Sequence, residues 1–350
     1  MRRVHVASAG AVTAFGEGRQ RLADAVFAGE SAIRPLDRLA GAKCTTRVAA
    51  EVPPAWADPE RLARGAMREC GEADALVLAT TKADLSGVVG EGEGLGIPYR
   101  LAARLANGKG PVAAVSCACA SGLSALALAA RWIRSGHADR VLVVGVDTIT
   151  EFILAGFSSL LALDLEPCRP YDETREGLSL GEAAGAMLLT AEETGIELKG
   201  WAESNDANHI TGPRRDGKGL LRAAAGALDA AGVAPGDVDY VHTHATGTPY
   251  FDAMEGEALT WLYRNGTPPV SGTKAQTGHT LGAAGVIESI LALEALERRT
   301  APANVRLVNT DLDPRVDLVR EPRPLDRART ALKLSAGFGG INAALVFQVQ

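Results

Sequence analysis

Short apolar runs alternate with helix-length stretches along the whole chain, and that alternation constrains the fold more than any bulk property. Strands are predicted at Val4–Ala9, Ala75–Thr80, Ala113–Ser116, Arg140–Val146 and Ala184–Thr190, with helices at Gly18–Gly29 and Ala120–Ser135. The pattern then restarts. Glu197–Ala202 reads as a strand, Gly217–Ala231 as a helix, and Val238–His242 as a strand. Helix Asp252–Tyr263, strand Pro269–Gly272 and helix Leu281–Arg298 follow, and strands Lys333–Ala336 and Ala343–Val349 finish the chain. A layered α/β fold built from two diverged copies of one unit is the expectation. The joint falls near Glu192–Glu197, giving halves 1–193 and 194–350. Glycines cluster at Gly87–Gly96 and Gly337–Gly340, where loops can bring backbone close to a ligand.

Composition excludes several classes. With 47% apolar and 22% charged residues the chain is a globular protein rather than a disordered tail, and its formal net charge of −6 argues against nucleic acid as a partner. No apolar run approaches the roughly 18 residues of a membrane span. The opening residues Met1–Val6 pass into a strand with no secretory apolar segment. The five cysteines (Cys44, Cys70, Cys117, Cys119, Cys168) are odd in number and unevenly spaced, which fits free thiols in a cytoplasmic compartment.

Four segments carry residues suited to chemistry. Ser116–Gly122 holds Cys119 where a strand gives way to a helix; a helix start favours thiolate, and the small neighbours leave room for a substrate. A buried structural cysteine is the plain alternative, and Cys117 with Cys119 lacks the second pair a zinc site needs. Val241–Pro249 presents His242 and His244, on one face if the strand continues, followed by Thr246 and Thr248, whose hydroxyls suit a polar ligand chain. Gly272–Gly285 places His279 near a helix start, where a depressed pKa keeps a neutral imidazole able to donate to an oxyanion; Lys274 can pair with Glu288. Ser335–Asn342 carries Phe338 between glycines, so that its ring can swing or its N–H can aim at a carbonyl. Each segment alone also reads as ordinary packing or a tight turn.

Taken together and in this order, the segments resemble the elongating β-ketoacyl-acyl-carrier-protein synthases, decarboxylating condensing enzymes of the thiolase superfamily. Arg169-Pro170-Tyr171-Asp172, Gly181–Gly185 and Ser204–Thr211 add to the match. The resemblance implies a five-layered αβαβα fold, usually dimeric, as a homodimer or a heterodimer with a related subunit. It implies that Cys119 takes an acyl group from an acyl carrier protein, and that His244 and His279 stabilise the enolate left when malonyl thioester loses CO₂. It further implies that the N–H groups of Cys119 and Phe338 form an oxyanion hole, with Phe338 also gating the acyl pocket. Lys274 and Glu288 would order the region, and Thr246 and Thr248 would hold the phosphopantetheine arm. No metal or bound redox cofactor is implied; the product would serve fatty-acid or polyketide synthesis.

The chain departs from the family by missing length between about Pro54 and Gly110, and by Ala336 where a second aromatic is frequent. Arg61, Arg64 and Arg68 stand at helical spacing as a candidate basic stripe for an acidic carrier or as a solvated face. Two other readings keep the fold: a chain-length-factor-like partner subunit, and an acyltransferase that does not condense.

Overall fold

The computed structural model describes residues 2–82, 97–106, 108 and 110–350; the Gly87–Gly96 cluster lies outside them. The principal strands are β1 (His5–Thr13), β2 (Ala75–Ala79), β3 (Val112–Val115), β4 (Arg140–Asp147) and β5 (Ala183–Thr190). The second set is β6 (Ile196–Asn205), β7 (Tyr240–His242), β8 (Val270–Ser271), β9 (Thr330–Gly337) and β10 (Ile341–Val349). The helices used below are α1 (Arg19–Phe27), α2 (Pro59–Met67), α3 (Ile97–Ala106), α4 (Ser121–Ser135) and α5 (Glu151–Ser159). They continue as α6 (Lys218–Ala231), α7 (Pro249–Leu262) and α8 (Ala284–Glu297).

The strands run in the order β8-β7-β9-β10-β6-β1-β5-β4-β2-β3. Counted separately, the first five strands and the last five each follow the order 3-2-4-5-1, so the recurrence read from the sequence is also a recurrence of topology. The two sets meet edge to edge where His5 pairs with Glu197 and the Leu198 N–H donates to the Val4 carbonyl at 2.9 Å. Strands β2 and β4 are nearly continuous apolar runs (Ala-Leu-Val-Leu-Ala and Val-Leu-Val-Val) because helices cover both faces of these parallel strands.

Helices α4 and α8 form the middle layer and pack against strands of both sets and against each other. Every residue of α8 from Ala284 to Leu296 is buried, the pattern of a helix with no solvent face. Helices α2 and α3 cover the first set from outside and α6 covers the second, with α7 packed on α6. The arrangement is the αβαβα sandwich of the thiolase fold.

Two local expectations are corrected. The final long helix starts at Ala284, after a 3₁₀ turn at Leu281–Ala283. Strand β7 stops at His242, so the alternation that would put His242 beside His244 does not continue.

Candidate active site

The middle layer creates the site. Helices α4 and α8 cross with Gly122 against Gly285: a Cβ on Gly122 would lie 2.7 Å from Gly285 Cα, and one on Gly285 would lie 2.5 Å from the Leu123 nitrogen. Only glycine lets two helix backbones approach this closely. The crossing sits just beyond Cys119 on one chain segment and His279 on the other.

Cys119 occupies the turn between β3 and α4. Ala118 adopts a positive φ of 48°, which a non-glycine residue holds only when its surroundings enforce it. Ser121 does so: its Oγ accepts from the Cys117 N–H at 2.9 Å and donates to the Ala118 carbonyl at 2.6 Å. Ser335 on β9 donates to the Cys119 carbonyl at 3.1 Å. Gly337 faces this turn so closely that a Cβ there would sit 3.1 Å from the Cys119 nitrogen. The backbone N–H of Phe338 favours the charged form of the Cys119 thiol.

His279 Nε2 lies 2.9 Å from Cys119 Sγ, and the rings of His279 and His244 meet edge to face with centroids 5.4 Å apart. Donor atoms of Cys119, His244 and His279 all fall within 4.8 Å of one another. Backbone bonds hold His279: its N–H donates to Ser179 O at 2.7 Å, and its carbonyl accepts from Gly181 N at 3.0 Å. The His244 loop is held by α7. Glu255 accepts from the N–H groups of His244 (2.7 Å) and Ala245 (2.8 Å) and from the Tyr171 hydroxyl (2.6 Å). Asp252 accepts from the N–H groups of Tyr171 (2.8 Å) and Thr246 (2.9 Å).

Lys274 and Glu288 meet as an ion pair with both side chains buried. The Lys274 ammonium also donates to His244 Nδ1 at 3.2 Å, which assigns the imidazole proton to Nε2, the nitrogen left free to donate. Lys333 on β9 ion-pairs with the second oxygen of Glu288 at 2.7 Å. Two buried cations thus share one carboxylate.

This environment sets the charges. Burial pushes the pKa values of His244 and His279 well below the ordinary histidine value, and the Lys274 and Lys333 charges push the same way, so both imidazoles are neutral. The depression foreseen for His279 is therefore present, with burial rather than a helix start as its largest cause. The thiol departs from expectation. Burial drives the Cys119 pKa up to about 11, and the Lys274 charge and the Phe338 N–H only partly offset this. Cys119 rests as a thiol against a neutral imidazole, because loss of water outweighs the pull of one helix start.

A cavity of about 350 Å³ opens onto the three residues. Thr246 and Thr248 line it with their hydroxyls 2.9 Å apart, and Ala336 and Leu178 line it beside them. Phe338 lies between Phe157 of α5 (centroids 5.8 Å apart) and Phe251 of α7 (6.2 Å), so the ring between glycines is packed rather than free. His242 takes no part: it is buried beside the Thr243 carbonyl at 3.2 Å and Thr273 Oγ1 at 3.4 Å. Cys117 sits toward Ser124. Cys119, His244 and His279 are donor types that bind zinc, but the two lysines beside them oppose a further cation. The arginine row is internally engaged: Arg64 pairs with Glu60 at 2.7 Å, Arg68 with Glu17 at 2.8 Å, and Arg61 donates to the Ala55 carbonyl.

Sequence reading missed Lys333, Asp252 and Glu255, and it named Tyr171 and Ser121 only as members of their segments, without the hydrogen bonds they make here. Two signals were there to use. Lys333 interrupts the apolar strand Ala-Leu-Lys-Leu, and Asp252 and Glu255 stand three apart at the start of the helix that follows the His244 loop.

A sandwich of two equivalent five-strand units, with Cys and two His gathered where its central helices cross, is the arrangement of the thiolase-fold condensing enzymes. The β-ketoacyl synthase N-terminal domain model matches residues 63–195 and the C-terminal domain model residues 196–308, and the chain belongs to the β-ketoacyl synthase family. It is 38% identical over 262 residues to the mitochondrial 3-oxoacyl-[acyl-carrier-protein] synthase of Arabidopsis thaliana, covering 68% of this chain and 56% of that protein. It is also 38% identical over 258 residues to 3-oxoacyl-[acyl-carrier-protein] synthase 2 of Staphylococcus aureus strain COL, covering 69% and 62%. The matched part therefore spans less than two thirds of either relative. Among solved structures, a ketosynthase (ApeO) in complex with its chain length factor (ApeC) from Xenorhabdus doucetiae superposes with a TM-score of 0.87 at 28% identity, covering 100% of this chain and 98% of that one. The ishigamide ketosynthase/chain length factor gives 0.89 at 27% identity, covering 100% and 99%.

Proposed function

We propose that this chain is a β-ketoacyl-acyl-carrier-protein synthase, an acyltransferase that lengthens a carried acyl chain by decarboxylative condensation. Cys119 attacks the acyl thioester of a carrier protein; an acyl–Sγ bond forms, the carrier thiol leaves, and the Cys119 proton passes to it. Malonyl-carrier then enters. Its C–CO₂ bond breaks, CO₂ departs, and the electron pair becomes an enolate whose oxygen accepts from Nε2 of His244 and His279. The enolate carbon attacks the acyl-Cys119 carbonyl, and the N–H groups of Cys119 and Phe338 hold the oxyanion. The carbon–sulfur bond to Cys119 breaks, the β-ketoacyl carrier leaves, and the Cys119 thiolate takes up one proton from solvent. Atoms and electrons balance without a redox cofactor.

The convergence of one sulfur and two neutral imidazoles within 4.8 Å carries this reading. Neutral histidines suit enolate stabilisation because each offers a proton it does not give up. Thr246 and Thr248 are assigned to the phosphopantetheine arm, Phe338 to the gate, and Lys274 with Glu288 to the ordering of His244. Ala336 leaves the acyl pocket wider than an aromatic there would.

The same reading makes residues 1–193 the half that bears the nucleophile and 194–350 the half that bears the histidines. The partners are an acyl carrier protein and a second ketosynthase-type subunit, identical or related. Among the described residues β3 is the outermost strand and half-buried, an edge that natural proteins rarely leave open, and this supports such pairing. Both solved relatives above are ketosynthases with a chain length factor. The five cysteines are free, and among the described residues no helix is long and apolar enough to cross a membrane, which agrees with a cytoplasmic enzyme. Intact mass spectrometry after exposure to acyl-carrier thioesters tests the assignment. Wild type should gain the acyl mass, C119S should not, and malonyl-carrier should then release CO₂ and product. An unmodified wild-type protein refutes it.

A further inference from the structure

We propose that Asp147 is a positioning residue for the His279 imidazole, with Lys82 as its counter-charge; this rests on the condensation reading above. Asp147 ends β4 and is 1% exposed. Its Oδ1 accepts from Thr80 Oγ1 at 2.8 Å and Lys82 Nζ at 3.2 Å. Its Oδ2 accepts from the Thr81 N–H and the Thr81 hydroxyl, both at 2.9 Å, and from the Gly282 N–H at 2.8 Å. Lys82 is itself buried and also donates to the Thr148 carbonyl at 2.6 Å. A buried carboxylate with donors on both oxygens has no freedom to rotate, so it fixes whatever it binds.

What it binds is the far end of the His279 turn. Ser179 and Gly181 clamp the His279 backbone from one side, as described above. The chain then turns through Leu281, at a positive φ of 53°, and reaches Gly282, whose N–H is held by Asp147. The turn has no slack: a Cβ on Gly282 would meet Asp147 Oδ2 at 2.8 Å and Thr80 Cα at 2.7 Å. Asp147 thus ties β2, β4 and the segment carrying His279 to one point, directly before the helix that crosses α4. The distance from Nε2 to the Cys119 sulfur depends on where that turn rests.

The chemistry of the partners supplies the test. In Asp147→Asn an amide NH₂ must face either the Gly282 and Thr81 N–H groups or the Lys82 ammonium, and both are donors. Adding Lys82→Met removes the ammonium. The amide can then turn its NH₂ to the Thr80 hydroxyl and its oxygen to Gly282. Asp147→Leu in the same Lys82→Met background keeps the site neutral and offers Gly282 no acceptor.

The measurements are CO₂ release from malonyl-carrier by the full chain, its melting temperature, and the NMR ring resonances of His279. D147N should slow CO₂ release at least about tenfold, as displaced catalytic groups do. K82M/D147N should recover most of the rate, the coupling expected of groups that share one network. K82M/D147L should stay slow, with the His279 resonances moved. If D147N does not fold, the two double variants decide alone: equal rates and equal His279 resonances overturn the tether, as does a D147N that matches wild type. A wild-type protein that releases no CO₂ defeats the condensation reading instead, and the resonances then judge the tether without it.

Discussion

Replacing Gly285 by alanine perturbs the helix crossing without touching any residue assigned to the reaction. The added methyl lies 2.5 Å from the Leu123 nitrogen, 2.6 Å from Leu123 Cδ1 and 2.9 Å from the Gly122 carbonyl carbon. Ordinary contacts between such atoms are about 3.5–4.0 Å, so α4 and α8 must part by roughly 1 Å. Cys119 leads into one helix and His279 into the other, so the 2.9 Å separation of Sγ and Nε2 opens by a similar amount. That takes the pair to roughly 4 Å, beyond hydrogen-bonding reach. Overpacking of this kind costs about 1–3 kcal/mol of the roughly 5–15 kcal/mol that hold a domain together, so the protein stays folded. Misplacement by roughly 1 Å costs about a hundredfold in rate, equivalent to about 2.7 kcal/mol in the barrier. The assay pairs kcat for condensation with a thermal melt. A melting point lowered by a few degrees together with a wild-type kcat would refute the idea that the glycine crossing sets the catalytic distance.

Three further outcomes follow from the buried charges. Glu288→Gln leaves Lys274 and Lys333 facing each other without an anion, which should cost about 3–5 kcal/mol and lower the melting temperature sharply; an unchanged melt contradicts the shared-carboxylate description. The folded-state pKa of His279 lies well below 6.5, so below that pH the unfolded chain binds a proton the folded chain refuses, and stability is lost as pH falls. H279A should therefore flatten the acid side of a melting-temperature–pH curve by one proton, about 1.4 kcal/mol per pH unit, relative to wild type. With the Cys119 pKa near 11, its alkylation by iodoacetamide, followed peptide by peptide, should keep rising with pH through neutrality, and K274A should slow it further; a plateau near neutral pH in wild type contradicts the burial argument.

What could be read from residue order differs in kind from what could not. Alternating apolar runs determined the layered α/β class and its internal recurrence, because strand and helix periods are local properties of the chain. Candidates for the site were legible too: Cys119, His244, His279 and the Lys274–Glu288 pair stand in short segments that singly read as packing or turns but that together, in order, resemble a known family, and the fold brings them together. The Lys274–Glu288 pair forms as foreseen, although nothing local showed that Lys333, on a strand much further along, joins it.

Distance and dielectric belonged to the tertiary structure. Cys119 and His279 are 160 positions apart and meet because two glycines on different helices let the backbones touch. No window of sequence holds both. The thiol illustrates the second point: its place at a helix start pointed to an easily formed thiolate, while burial took away most of its water and pushed its pKa the other way. Charge state depends on everything within several ångströms, and the chain reaches that neighbourhood only by folding.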